Sequence, residues 1–89
     1  MKITLEVTDY DKRTGLVGHW EDDSLIRTVY KDNEFLIQAN KEGLISLAIQ
    51  LLSLAQDNVP VGTHFHYDTW QSLEEGSVSF IIDKIPSDR

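Results

Sequence analysis

The chain contains no cysteine, and this absence excludes disulfide bonds and thiolate chemistry. It also has no apolar run near the roughly 18 residues of a membrane-spanning helix. Basic residues are few: eight Lys and Arg against 15 Asp and Glu give a net charge of −7. Nucleic acids and anionic membranes both need a positive surface, so we expect neither as a partner. The charge favours a basic protein as the partner.

Sequence motifs for catalysis are missing as well. The five glycines are scattered and form no phosphate-binding loop, and no serine lies in a Gly-x-Ser-x-Gly turn. Residues 1–7 alternate between polar and apolar side chains and lack the unbroken apolar stretch of a signal peptide. We therefore expect no catalytic residues, no cofactor and a cytoplasmic location. A chain of 89 residues supports a single domain, residues 1–89, with one modest core.

Alternating polar and apolar side chains predict several strands on both sides of one helix. The strand patterns cover residues 2–8, 16–20, 25–30, 34–39, 64–68 and 77–84. A tight turn at Asp32 and Asn33 should join the third and fourth of them. This order predicts an α+β two-layer sandwich, in which a mostly antiparallel sheet of about five strands has one long helix packed on one face.

The helical pattern covers residues 41–56, with Asn40 as the N-cap. Four leucines at helical spacing are expected to pack on the sheet: Leu44, Leu47, Leu51 and Leu54. Four polar residues are expected to face water: Ser46, Gln50, Ser53 and Gln56. Three further residues make the apolar surface wider than one sheet contact needs: Ile45, Ile49 and Leu52. This surplus predicts self-association as a homodimer.

Residues 64–68 carry the most distinctive pattern in the chain. His64, His66 and Asp68 alternate, so a strand places them on one face. Two imidazoles roughly 6–7 Å apart along a strand can coordinate a divalent metal ion if other residues supply further ligands. A small metal-binding or hydrolytic domain is therefore the alternative function. The other interpretation is that these three residues lie on the solvent-exposed face of a half-buried strand. Because the set of possible metal ligands is incomplete, we expect no bound metal.

The surfaces left for a partner are the sheet face without the helix and the acidic loops. A tryptophan in a loop, such as Trp70, makes a binding hot spot, although it covers a small core equally well. Carboxylates at the rim steer a basic partner toward its site. The residues expected to contact or steer a partner are His64, His66, Asp68 and Trp70, with Glu21, Asp22 and Asp23 at the rim.

Three segments carry a family resemblance: Asn40-Lys41-Glu42-Gly43-Leu44, Gly62-Thr63-His64-Phe65-His66-Tyr67-Asp68 and Leu73-Glu74-Glu75-Gly76-Ser77. With the leucines between them, over residues 38–84, they resemble a small bacterial family of predicted immunity proteins from polymorphic toxin systems, numbered thirty-two in that series. The resemblance implies an α+β fold and a non-enzymatic role, the blocking of a cognate toxin by direct binding. The leading prediction is therefore a small acidic cytoplasmic immunity protein that binds a basic toxin.

Overall fold

The computed structural model describes residues 1–87, which contain one helix and four strands. In chain order these are β1 (Ile26–Lys31), β2 (Glu34–Ala39), α1 (Lys41–Leu54), β3 (His64–Tyr67) and β4 (Phe80–Asp83). β1 pairs with β2 and β3 pairs with β4, both antiparallel. The predicted α+β class is confirmed. The single sheet of about five strands in a two-layer sandwich is not, because two separate two-stranded sheets take its place.

The β1–β2 hairpin turns through Asp32 and Asn33, as the sequence predicts. Both residues have positive φ, 53° and 64° respectively. This is the geometry of a two-residue type I′ turn, and Asp and Asn adopt it more readily than most other residues. The turn fixes the register of the hairpin, in which Thr28 lies opposite Ile37.

The second edge of β1 ties the two hairpins together. The Glu74 N–H donates to the Ile26 carbonyl at 2.9 Å, and the Thr28 hydroxyl donates to the Val78 carbonyl. The segment before β4 therefore takes the edge of β1 that a further strand would have used. Among residues 1–87 the buried apolar residues are few: Ile26, Leu54, Val59, Tyr67 and Leu73.

Residues 2–8 and 16–20 do not form the predicted strands. The N-terminal segment (residues 1–25) is instead irregular chain, and its residues 8–25 run along α1 from the end of the helix toward its start. Irregular backbone has no ladder partners, so its N–H and C=O groups need other partners. Side chains of α1 and of Gln56, just beyond its end, supply several of them: the Tyr10 N–H donates to Gln56 Oε1 (3.0 Å), Gln50 Nε2 donates to the His19 carbonyl (2.9 Å) and the Glu21 N–H donates to Ser46 Oγ (2.8 Å).

α1 consequently buries the face that the sequence assigns to water. Its buried residues are Gly43, Ser46, Gln50, Ser53 and Leu54. Three apolar residues are exposed instead: Leu44 at 57%, Leu51 at 44% and Leu52 at 49%. The prediction that Leu44 and Leu51 pack on the sheet is wrong, and so is the prediction that Ser46, Gln50 and Ser53 face water. The cause is the N-terminal segment, whose backbone needs the polar side chains of the helix.

The start of α1 follows the prediction. The Asn40 side chain accepts from the Gly43 N–H at 2.8 Å, the bond of an N-cap, and also from the Leu25 N–H at 2.9 Å. A Cβ on Gly43 would lie 2.5 Å from the Leu25 carbonyl oxygen, so the close passage of the N-terminal segment requires glycine here. In residues 1–87 no helix has both the length and the apolar character needed to cross a membrane.

Candidate functional site

β3 presents its two histidines on its exposed side. The ring centroids of His64 and His66 lie 5.3 Å apart, with the rings tilted by 59°. Phe65 is half-buried and Tyr67 is buried on the other side of the strand. The alternation predicted for this strand is therefore confirmed for residues 64–67, whereas Asp68 lies beyond the end of β3. Both imidazoles are open to contact from outside.

β4 adds two exposed side chains that sequence reasoning missed. The register places Asp83 opposite His64 and Ile81 opposite His66. Residues directly opposite each other in an antiparallel pair lie on the same face. We call these four residues the histidine face. The alternation of the last strand gave part of this information, because Phe80 and Ile82 are half-buried and Ile81 and Asp83 are exposed between and after them. The register with β3 was not readable from the sequence.

Asp68 closes the turn that follows β3. Its Oδ1 accepts from the N–H groups of Trp70 and Gln71, both at 3.1 Å. The Leu73 N–H donates to the Asp68 carbonyl at 2.9 Å. Through these hydrogen bonds Asp68 stabilises the conformation of the loop, as aspartate does in many turns. Within the described part of the chain, no three side chains of His, Cys, Asp or Glu lie close enough together to hold a metal ion.

The two tryptophans occupy different environments. Trp20 is half-buried and packs edge-on against Tyr67, with ring centroids 6.1 Å apart, so it covers the core. Trp70 is 92% exposed on the turn after β3. An open depression of about 330 Å³ lies at the end of the histidine face, lined by residues that include His66, Asp68 and Ile81. The exposed indole is therefore free to contact another molecule.

A buried hydrogen-bonded chain supports the histidine face from beneath. The Tyr67 hydroxyl donates to Gln50 Oε1 at 2.8 Å, and Gln50 in turn donates to the His19 carbonyl at 2.9 Å. Burial raises the pKa of Tyr67 to about 12, so the phenol stays neutral at physiological pH. These two hydrogen bonds link β3, α1 and the N-terminal segment, and they hold the strand that carries the histidines in a fixed position.

The acidic segment (residues 21–23) lies beside the start of α1. Asn40 Nδ2 donates to the Asp23 carbonyl at 2.8 Å, and Asp23 has a φ of 64°. Glu21 Oε2 lies 3.5 Å from His19 Nε2, and these side chains are 43% and 63% exposed respectively. The carboxylates of this segment therefore remain accessible to solvent and to a charged partner.

The structure separates the two parts of the predicted partner site. Trp20, which precedes the acidic segment, packs on the inward side of β3 against Tyr67. The histidines lie on the outward side of the same strand. The acidic segment and the histidine face therefore lie on different sides of β3, whereas Trp70 follows the histidine strand directly.

One comparison with known proteins gives a match. The model of a family described as Immunity protein 32 matches residues 34–85, more than half of the 89-residue chain. The matched residues contain β2, α1, β3 and β4, and therefore the whole histidine face. No matching curated protein and no matching solved structure was found.

Proposed function

The chain belongs to the Immunity protein 32 family, and from this premise we propose that it neutralises a cognate bacterial toxin by binding it directly. Proteins of immunity families are generally non-enzymatic. The protein would act in the cytoplasm, by occupying a surface that the toxin needs for its own activity. The family match carries this proposal, because it spans the strands and the helix that build the histidine face.

The histidine face and Trp70 form the contact surface in this proposal. Tryptophan gains much from burial, yet the indole of Trp70 is 92% exposed. Exposed tryptophans are frequent hot spots of protein interfaces. The two imidazoles and Ile81 of the histidine face add polar and apolar groups to this surface. Since the scaffold beneath is hydrogen-bonded, little ordering is needed when a partner binds.

The acidic segment steers a basic toxin in this proposal. Electrostatic steering acts across about 8–10 Å of solvent at moderate salt and needs no direct contact. Its place on the other side of β3 is therefore compatible with this role. The net charge of −7 adds to the attraction and favours a toxin with a positive surface.

Co-expression tests the proposal. The toxin domain encoded beside the gene of this protein should arrest growth when it is expressed alone, and co-expression with this chain should restore growth. The purified pair should form a stoichiometric complex in gel filtration. A toxin domain that remains lethal and forms no complex would contradict the proposal.

Variants of exposed aromatic residues test the contact surface within that complex. Trp70→Ala should speed dissociation by a factor of about 30 or more, because hot-spot tryptophans contribute about 2 kcal/mol or more. Tyr30→Ala removes an aromatic side chain that is 61% exposed on β1, and it should dissociate like the wild type. Equal dissociation rates for the two variants would place the contact surface elsewhere.

A further inference from the structure

α1 carries an apolar surface that the rest of the chain leaves uncovered. We call it the outer face of α1, and its members are Leu44, Ala48, Leu51, Leu52 and Ala55. The three leucines are each about half exposed, and Ala55 is exposed at the end of the helix. Half-exposed leucines along a whole helix face are unusual in a monomer and mark an interaction surface.

The charges on the chain identify the occupant of this face. Residues 43–56 contain no charged side chain, although the chain as a whole carries −7. A basic partner finds no carboxylate to pair with there. A second copy of the chain is repelled by most of the acidic surface, and it meets no like charge on this face. The uncharged outer face therefore suits a second copy better than it suits a basic toxin.

The order of large and small residues on this face is self-complementary. Leu44, Ala48, Leu51 and Ala55 recur at spacings of four, three and four, the repeat of a coiled-coil seam. In a two-fold pair centred between residues 49 and 50, Leu44 meets Ala55 of the second copy, and Leu51 meets its Ala48. We propose that two copies associate as an antiparallel helix pair through this face.

The ends of the helices match in the same arrangement. Antiparallel packing brings the start of one helix to the end of the other, which pairs opposite ends of the helix dipoles. Lys41 is exposed just before the outer face begins and would lie near Asp57 of the second copy. We expect one helix pair to bury less than the roughly 800 Å² per partner of a stable complex, and we therefore expect a weak dimer that forms reversibly.

Sedimentation equilibrium from about 1 to about 200 micromolar tests the proposal without any toxin. The wild type should pass reversibly from 10.2 kDa to twice that mass. Leu44→Ala leaves a gap opposite Ala55, and Ala55→Leu sets two leucines against each other. Each change alone should weaken the dimer about tenfold or more, whereas the double variant should restore the large–small pairing and most of the affinity.

Two further measurements keep the result decisive. Leu44 and Ala55 are exposed in a single copy, so all variants should melt at the same temperature when dilute, and only the dimerising forms should melt higher when concentrated. Leu36→Lys, on the exposed strand β2, should leave association unchanged. A monomer at every concentration, a double variant no better than the single ones, or loss of the dimer with Leu36→Lys would overturn the proposal.

Discussion

Tyr67 and Gln50 carry the buried hydrogen bonds that link three parts of the molecule. The Tyr67 hydroxyl donates to the side-chain oxygen of Gln50, which is buried. The side-chain nitrogen of Gln50 donates to the His19 carbonyl. A buried polar group that loses its partner costs about 1–3 kcal/mol. The phenol must therefore stay protonated for the folded state to keep this link.

The raised pKa of Tyr67 gives a pH-dependent stability. Tyrosine in the unfolded chain ionises near pH 10, whereas folding raises the pKa of Tyr67 to about 12. Between these values the unfolded chain releases a proton that the folded chain keeps, so the unfolding free energy falls as pH rises. The contribution of Tyr67 should be complete below about pH 10 and lost as pH approaches 12.

Urea unfolding of the wild type and of Tyr67→Phe across this range isolates the effect. The difference in unfolding free energy between the two proteins should be constant from neutral pH to about pH 9 and should shrink above about pH 10. Because both proteins share all other titrating groups, the difference reports Tyr67 alone. A difference that stays level up to pH 12 would show that burial does not raise this pKa.

Gly43 is a second position where one residue decides the local packing. Alanine would improve helix propensity by about 1 kcal/mol, but its Cβ would lie 2.5 Å from the Leu25 carbonyl oxygen. Gly43→Ala should therefore destabilise the protein by a net amount of about 1–3 kcal/mol. Gly18→Ala is the control: its Cβ would meet the Phe65 ring at 3.2 Å, and a side chain yields more easily than backbone. Thermal melts should show the larger loss for Gly43→Ala.

At the scale of elements, local signals in the sequence were sufficient for the turn and the helix start. Asp32 and Asn33 form the hairpin turn, and Asn40 caps the helix, because these residues act through their own backbone or its nearest neighbours. The alternation of β3 was equally readable. Its pairing with Asp83 was not, since the register of two distant strands depends on contacts that no local pattern encodes.

The orientation of α1 could not be predicted for a different reason. The hydrophobic periodicity of the helix assigns Ser46 and Gln50 to the solvent because they are polar. It carries no information about the buried hydrogen-bond partners that they find in the folded protein. Both are buried with satisfied hydrogen bonds, and Gln56 likewise bonds to Tyr10. The course of the N-terminal segment decides this arrangement, and its alternating residues 2–8 predicted a strand. The wrong prediction of a strand at residues 2–8 therefore led to the wrong prediction of which face of α1 is buried.

The packing of α1 gives a direct test with two leucines. Leu54 is 5% exposed, and Leu54→Ala should cost about 2–5 kcal/mol of unfolding free energy. Leu51 is 44% exposed, and Leu51→Ala should cost about 1 kcal/mol or less in dilute, monomeric protein. Chemical denaturation at low concentration measures both. Equal losses, or a larger loss for Leu51, would contradict the observed orientation of the helix.

At the scale of the whole molecule, charge distribution separates steering from contact. Glu21→Lys, Asp22→Lys and Asp23→Asn together bring the net charge from −7 to −2, because each reversal adds two units and the neutralisation adds one. Asparagine is chosen at position 23 because it tolerates the positive φ of Asp23. Association with a basic toxin should slow and its rate should depend less on salt, with dissociation little changed.

A control variant with the same net charge shows whether position matters. Glu6→Lys, Asp9→Lys and Glu75→Gln also bring the charge to −2, at exposed sites outside the acidic segment. Stopped-flow association rates at several salt concentrations compare the two sets. The acidic-segment variant should associate more slowly than the control. Equal rates would assign steering to the total charge and remove the special role of residues 21–23.

The hydrogen bonds between α1 and the N-terminal segment also determine where the protein can be divided. The family match begins at residue 34, the first residue of β2, and therefore leaves out β1 and the hairpin turn. A fragment that starts there lacks the partner strand of β2 and leaves Ser46, Gln50 and Gln56 without the backbone groups they bind. The boundary of the shared family sequence is therefore not a folding boundary. Grafts, fusions and truncations of this protein must carry residues 8–33 together with the matched part.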